Sequence, residues 1–398
     1  MNPVTPATPR PPLFLTPSEI RLAIYAYLMP SQIHIFSHKN ALRLSACIQQ
    51  PKDEVDPNCC SRMTLKEREN HVHYAPPDPM YTRRLASSWG THWRCEEAAK
   101  WGRGEDAWKQ KEGGCNEDIM PLLLTCRQMF SEVIAILADT TALHITDLDT
   151  FAVLAPSPSS DDLEAGNFFM SSLLTCMLPS LKELRISLKL PLEVYALFES
   201  GTQPSSSSSS AINNPVTAWA NLPSILNTLP NLRRLHIRLD HTEPDTWTRV
   251  NEHVALSPVA SLAARSHAKL DIAVDLPKLH PKYEEPARHF IEDSPAPPFP
   301  IQRRIRQRIH ADIHANKIFH KDDFPFTHEM NDFLIEWNGM TVPNDMSYSE
   351  FAQYQEDQER NAWKEGRDPY QEMKDEQKYV LPNLFIFAAS TNDVLKLD

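Results

Sequence analysis

The residues best suited to chemistry lie in a polar stretch at 59–115. Its metal-ligating side chains are Cys59, Cys60, His71, His73, His92, Cys95 and Cys115. Thiolates and imidazoles are the usual ligands of zinc, and a metal ion can stabilise a segment that has little core of its own. The spacing is poor for a zinc motif, because no two cysteines are separated by two residues and His92 with Cys95 forms one isolated half-site. We therefore predict no bound metal and no cofactor. A zinc-binding protein or an enzyme that uses this stretch stays as the alternative.

Motifs for catalysis are missing from the sequence. The chain has only 9 glycines, and it contains neither G-x-G-x-x-G nor the phosphate-binding G-x-x-x-x-G-K-[ST]. It also lacks the G-x-S-x-G elbow of serine hydrolases and the H-E-x-x-H motif of zinc proteases. The sequence therefore favours a protein that is not an enzyme.

Charge and hydropathy limit the partners. The 398 residues include 40 Lys+Arg and 52 Asp+Glu, which gives a net charge of −12. Nucleic acids and anionic membranes attract positive charge, and no apolar run approaches the roughly 18 residues of a membrane span. Because the count of 7 cysteines is odd and no apolar leader follows the N-terminus, we predict an intracellular protein, cytoplasmic or nuclear, that binds neither nucleic acid nor membrane.

Two amphipathic helices and a hairpin are predicted in the first part of the chain. Ile20, Ile24, Tyr27 and Leu28 fall on one face of a short helix within 13–29. Segments 32–36 and 41–47 are predicted to be two short strands that form a hairpin. A second helix is predicted at 119–138, with an apolar stripe formed by Leu122, Cys126, Met129, Val133 and Leu137.

A strand motif then recurs. Segments 178–188 and 229–239 both read L-P-x-L-x-x-L-x-I-x-L, and 270–274 is a weaker copy. A short strand at 143–145 precedes them, and helical patterns lie between the copies. Alternating strands and helices predict the α/β class with a parallel sheet. The motif is similar to the strand of leucine-rich repeats, although the spacing far exceeds their roughly 20–29 residues, so we predict an irregular leucine-rich-repeat-like sheet of four strands.

These patterns divide the chain into five regions. They are a disordered Pro-rich tail at 1–12, a helix and hairpin at 13–50, a polar insertion at 51–118, an α/β domain at 119–276 with a Ser-rich linker at 200–216, and a Pro-rich, charged region at 277–398. Four tryptophans favour docking of part of the insertion, at 84–110, on the rest of the fold. These are Trp89, Trp93, Trp101 and Trp108.

The C-terminal region is predicted to be helical or disordered. An isoleucine at every fourth position suggests a narrow helix stripe made by Ile301, Ile305, Ile309 and Ile313. A basic cluster accompanies it, formed by Arg303, Arg304, Arg306 and Arg308. We interpret this cluster as the solvated face of that helix, with a nuclear-import signal or a patch for an acidic partner as the alternative. The segment 350–376 is a solvated helix or disordered, and 380–389 is apolar enough to return to the fold.

Two segments resemble the signatures of a large group of fungal F-box-like proteins of uncharacterised function. The segment 15–28 reads L-T-P-S-E-I-R-L-A-I-Y-A-Y-L and is similar to the opening L-P-x-E-I-R-x-x-I-Y-x-Y-L of that group. The segment 122–132 reads L-L-L-T-C-R-Q-M-F-S-E and looks like L-L-x-T-C-R-Q-I-Y-x-E-A. The resemblance implies that 13–50 is F-box-like.

This resemblance implies a role in protein interaction. F-box proteins bind the Skp-type adaptor of cullin ubiquitin ligases and present a protein substrate, so the resemblance implies these two partners, the substrate being unidentified. The residues that could fill an adaptor groove are Leu15, Pro17, Ile20, Ile24 and Leu28. The competing interpretation buries the same face under the helix at 119–138, and the sequence favours burial because a short helix has a single good apolar face.

Overall fold

The structure is a computed structural model, and it describes most of the segments in which elements are predicted. The described residues are 12–38, 41–49, 79–100, 123, 125–154, 173–201, 215–265, 270–312, 317–321, 323–326 and 345–372. The tail at 1–11, the Ser-rich run at 205–210 and the apolar segment at 380–389 lie outside them.

One mixed sheet organises the described part of the chain. Its seven strands lie in the order β2-β1-β3-β4-β5-β6-β7, and all of them run parallel except β2, which forms an antiparallel hairpin with β1. The strands are β1 (Gln32–His38), β2 (Ala41–Ala46), β3 (Ala142–Ile145), β4 (Glu183–Leu190), β5 (Arg234–His241), β6 (Asp271–Pro277) and β7 (Ile301–Arg304). A separate antiparallel pair is formed by β8 (Ile309–Asp312) and β9 (Lys317–His320).

The predicted α/β class and its four parallel strands are confirmed. Leu184 pairs with Leu235 and Ile186 pairs with Ile237, and all four side chains are buried. This follows from the period of two in a strand, which sends every second side chain to the same face. The predicted hairpin is confirmed as well, and it extends the same sheet. The likeness of the strands to leucine-rich repeats stays a prediction.

The helices of the described residues are α1 (Ser18–Leu28), α2 (Pro79–Leu85), α3 (Trp93–Lys100), α4 (Arg127–Thr140), α5 (Leu148–Val153), α6 (Leu192–Ser200), α7 (Pro215–Ala220), α8 (Leu222–Leu226), α9 (Glu252–Ala255), α10 (Ser257–Arg265) and α11 (Tyr348–Lys364). Those that pack into the main core cover one face of the sheet, which we call the helical face. The main core contains residues of α1, α4, α5, α7 and α8 together with the inward side chains of β1 and β3–β6. Helices α2 and α3 belong to the docked segment (79–100), which contacts β2 and β8 instead.

Helices α1 and α4 pack together as predicted, but not through the predicted face. Arg21, Tyr25 and Met29 are buried, whereas Ile20 and Ile24 are exposed. The favoured burial of the α1 stripe is therefore wrong. The physical reason is an ion pair at the helix interface, which turns the other side of α1 inward. Arg21 donates from Nε to Glu132 Oε2 over 3.1 Å and from Nη2 to Oε1 over 2.6 Å.

This ion pair predicts a pH dependence of stability. The hydrogen bond from Arg21 lowers the pKa of Glu132 to about 2. A carboxylate with a lowered folded-state pKa stabilises the protein above its unfolded pKa, and the contribution is lost as the pH falls through the folded value. Thermal melts of wild type and Glu132→Gln should therefore differ most above pH ~4.5 and converge towards pH ~2. A constant difference across that window would contradict the assignment.

The second predicted helix is interrupted at Cys126, since residues 123 and 125 before it are also helical. Cys126 has an extended backbone, and its Sγ accepts a hydrogen bond from the Met129 amide over 3.4 Å. Cys126 is thus the N-cap of α4 rather than a member of an uninterrupted stripe. Met129, Val133 and Leu137 are buried as predicted, and the predicted start of the helix at 119–122 lies outside the described residues.

The isoleucine stripe near residue 305 is not a helix. Ile301 lies in β7 and Ile309 in β8, and β7 pairs with β6 of the main sheet. The helix prediction is wrong here because side chains of a strand alternate between its two faces. Every fourth residue of a strand therefore also lies on one face. In the tail, α11 confirms the helical alternative for part of 350–376.

The basic cluster is also not a solvated face. Arg303 pairs with Glu252, Arg304 with Asp275, and Arg306 with Asp240. Arg306 and Arg308 are buried, and Arg308 donates to the Pro325 carbonyl. These arginines join β7 and the segment after it to β5, β6, α9 and Pro325.

Candidate functional site

A cluster of two cysteines and two histidines lies on the face of the sheet opposite the helical face. His34, Cys47, His92 and Cys95 each offer one ligand atom, and these four atoms lie within 4.8 Å of one another. Cys47 Sγ is 3.5 Å from His92 Nδ1 and 3.8 Å from Cys95 Sγ. Cys95 Sγ is 3.9 Å from His92 Nδ1. This donor set could hold a transition-metal ion.

The β1–β2 hairpin positions the first two members. His34 lies in β1, with its neighbours Ile33 and Ile35 in the main core. Since side chains alternate along a strand, His34 faces away from that core. Cys47 follows the last residue of β2, and its amide donates to the Gln32 carbonyl over 3.0 Å. The register of the hairpin therefore brings Cys47 next to His34.

The docked segment supplies the other two members. His92 ends a 3-10 turn that begins at Gly90, and Cys95 lies in the first turn of α3. Three positions make nearly one helical turn, so the two side chains share a face. Gly90 has a φ of +57°, a left-handed conformation that glycine adopts without the steric cost of a Cβ atom.

The cluster is enclosed. His34, His92 and Cys95 are at most 4% exposed, and Cys47 is half-buried. The Trp89 indole stacks on the His34 ring with centroids 4.9 Å apart. The His144 ring of β3 stacks on the His34 ring with centroids 4.8 Å apart and meets the His92 ring edge to face at 4.4 Å. His144 is in turn within hydrogen-bond distance of Ser187 Oγ, at 2.9 Å. Aromatic rings thus fix both imidazole ligands.

The two thiols influence each other. The hydrogen bond from Cys95, assisted by those from His34 and His92, lowers the pKa of Cys47. Burial raises the pKa of Cys95 well above its usual value, and the adjacent Cys47 raises it further. Burial lowers the pKa of His144 well below its usual value, so that this ring is neutral. The amide of Ile48 donates to Cys95 Sγ over 3.4 Å.

Two of the four residues of this cluster were among the candidate ligands predicted from the sequence. His92 and Cys95 belong to the predicted set, whereas Cys59, Cys60, His71, His73 and Cys115 lie outside the described residues. His34 and Cys47 were missed. A signal for His34 exists, because 33–35 reads I-H-I and 143–145 reads L-H-I, and the two histidines pair in adjacent strands.

A surface pocket borders the cluster on the same face of the sheet. Its polar lining comes from the docked segment and from β4 and β5, and includes Ser88, Thr91, Ser187, Lys189, Arg238 and Asp240. Arg238 donates to Thr91 Oγ1 over 3.1 Å. Although burial opposes it, the charge of Arg306 lowers the pKa of Asp240 to about 2. The docked segment thus also contacts β5 near the centre of the sheet, at a polar surface that includes the ionised Asp240.

The predicted partner-binding residues lie together on the outer side of α1 and just before it. All five are exposed, with Leu15 at 70%, Ile20 at 52% and Leu28 at 49%; the other two are Pro17 and Ile24. Tyr27, which is 88% exposed, extends this surface. We call Leu15, Pro17, Ile20, Ile24, Tyr27 and Leu28 the α1 surface. A contiguous exposed apolar surface is typical of an interaction site.

The fold and these sites define a mixed α/β protein with a mostly parallel sheet and a buried Cys/His cluster. The chain belongs to the family described as Domain of unknown function (DUF7730), whose model matches residues 8–279. That match includes α1, the cluster and β1–β6. Searches of curated proteins and of solved structures found no significant match. None of the helices in the described part of the chain has the length and apolar character that a bilayer crossing requires.

Proposed function

We propose that this protein is a non-enzymatic interaction protein that binds a partner through the α1 surface. The observation that carries the proposal is the two-sided character of α1. Arg21 and Tyr25 are buried against α4, while Ile20, Ile24 and Leu28 are exposed on the other side. Isoleucine and leucine at positions i, i+4 and i+8 are the anchors that an amphipathic helix inserts into a groove.

The partner we propose is a Skp-type adaptor of a cullin ubiquitin ligase. The resemblance of 15–28 to the F-box-like opening supports this choice, and the exposure of the same residues leaves them accessible to an adaptor. A protein substrate would then bind elsewhere on the chain, and the activity would take place in the cytoplasm or the nucleus. In this chain the strands β1 and β2 follow α1, so the adaptor would contact a helix supported by a sheet.

A pull-down tests the proposal. Full-length protein carrying Ile20→Asp and Ile24→Asp should fold like wild type, because exposed side chains away from special features usually change stability by about 0.5 kcal/mol or less. It should lose the adaptor, since each aspartate places a charge in the apolar interface. The matched control is Val153→Asp, an exposed apolar residue of α5, which should keep adaptor binding. Circular dichroism checks that all three proteins are folded.

Two results would reject this function. One is folded wild-type protein that recovers no adaptor. The other is adaptor binding that is equal in wild type and in the double variant.

The alternative of a zinc-binding protein is favoured by a different observation, the four-donor cluster.

A further inference from the structure

We propose that His34, Cys47, His92 and Cys95 bind one Zn²⁺ ion that joins the docked segment to the β1–β2 hairpin. The proposal is independent of the α1 surface. It rests on the separations of the donor atoms, on their chemistry and on their burial.

The separations match a tetrahedral site. Zn–S bonds of about 2.3 Å and Zn–N bonds of about 2.0–2.1 Å place neighbouring donors about 3.4–3.8 Å apart at tetrahedral angles. The two sulfurs are 3.8 Å apart, and His92 Nδ1 is 3.5 Å and 3.9 Å from them. The fourth donor, from His34, lies within 4.8 Å of the other three. One ion can therefore bind the donors of Cys47, Cys95 and His92 almost where they lie, and a shift of the His34 ring towards them completes the tetrahedron.

The donors select zinc. Two thiolates and two imidazoles in a tetrahedral arrangement are the ligand set of structural zinc sites, whereas calcium and magnesium require oxygen ligands. Two thiolates also neutralise the charge of one divalent ion, so the complex carries no net charge into a buried place. Because a buried net charge is costly, this balance favours the metal-bound form.

A disulfide fits the geometry less well. The bond requires sulfurs about 2.0 Å apart, and Cys47 Sγ and Cys95 Sγ are 3.8 Å apart. That separation is the one expected for two sulfurs on the same zinc ion. The two imidazoles at the same point also have no role in a disulfide.

The site is closed, which makes the ion structural. A catalytic zinc keeps one position for water or substrate, whereas a structural zinc has four protein ligands. Here all four positions are filled by side chains, three of which are buried. Trp89 and His144 stack on the His34 ring, His144 meets the His92 ring edge to face, and the Ile48 amide donates to Cys95 Sγ. Such outer contacts orient the ligands of metal sites.

Metal analysis of the purified full chain tests the site. Wild type, purified under reducing conditions and incubated with Zn²⁺, should contain about one zinc per chain by mass spectrometry. Cys47→Ser with Cys95→Ser should contain almost none. Cys176→Ser, at an exposed cysteine outside the cluster, should bind zinc like wild type. So should Cys59→Ser with Cys60→Ser, which removes the paired cysteines of the insertion.

A cobalt spectrum keeps the test valid if the double serine variant fails to fold. Co²⁺ in place of zinc should give the d–d bands of a tetrahedral site with two sulfurs and two nitrogens. His92→Cys retains four donors, so it should still bind one ion, with the cobalt bands shifted to those of a three-sulfur site. An unshifted spectrum would place the metal elsewhere.

Several results would overturn the proposal. They are folded wild type without zinc after incubation, zinc that survives loss of both Cys47 and Cys95, zinc that is lost with Cys59 and Cys60, and a disulfide between Cys47 and Cys95 in protein purified under reducing conditions.

Discussion

Removing zinc should release α3 from the hairpin while the centre of the sheet stays folded. Two of the four proposed ligands, His92 and Cys95, lie in the docked segment, and the other two lie in the hairpin. Cys47 and His92 are 45 positions apart. Without the ion, only packing can bring the two ends of the intervening segment together. Closing a loop of this length costs on the order of 3 kcal/mol. Strands β4–β6 share no residue with the site and should keep their pairing.

Hydrogen exchange measures this effect. A structural zinc contributes roughly 10–16 kcal/mol in isolated zinc-finger peptides. The docked segment also buries Trp89 and Trp93, so only part of that energy should appear as local opening. We expect the amides of α3 to exchange at least ~100-fold faster after treatment with EDTA and reductant, which corresponds to about 2.7 kcal/mol. Amides of β5 should change little.

Two comparisons control the experiment. Cys176→Ser should respond to EDTA as wild type does, and added Zn²⁺ should restore protection in both. Unchanged exchange in α3, in protein shown to be free of metal, would mean that the ion does not hold the docked segment. Equal acceleration in α3 and β5 would mean that the ion supports the whole fold.

The sheet could be predicted because its signal is local. In β4 the apolar residues alternate over eight positions, and in β5 Leu235, Ile237 and Leu239 alternate in the same way. Such alternation predicts a strand with one buried face. The same logic fails at 301–313, where an isoleucine at every fourth position suits a strand and a helix equally. There the neighbouring strand determines the structure, because β7 pairs with the edge of β6 that faces away from β5.

Only two of the four residues of the Cys/His cluster could be predicted, because its members come from elements that are distant in sequence. His92 and Cys95 lie one helical turn apart, and this spacing is visible in the sequence. Cys47 meets them only when the hairpin and the docked segment pack together, which no local pattern encodes. The buried partners of the basic cluster, among them Glu252 of α9, are equally distant from it along the chain.

Replacing Arg303 by methionine should cause a large loss of stability. Arg303 Nη2 donates to Glu252 Oε2 over 2.9 Å and to the Phe290 carbonyl over 2.8 Å. Glu252 is 0% exposed, so the variant leaves a carboxylate buried without its cation. Removing one partner of a buried ion pair costs about 3–5 kcal/mol. Urea denaturation followed by tryptophan fluorescence should show a free energy of unfolding lowered by about that amount.

A second substitution separates the unpaired charge from lost packing. Arg303→Met combined with Glu252→Gln removes both charges. The single oxygen of the glutamine side chain can still accept from one of the two donors, the Trp247 indole at Glu252 Oε1 or the Phe290 amide at Oε2, each over 2.8 Å. The double variant should therefore be more stable than Arg303→Met alone, because no buried charge remains. Arg367→Met is the matched control, since the Arg367 side chain is 51% exposed in its ion pairs. Exposed ion pairs contribute little to stability, so this variant should lose much less stability than Arg303→Met. If the double variant is no more stable than Arg303→Met, the loss comes from packing of the arginine side chain and not from the charge of Glu252.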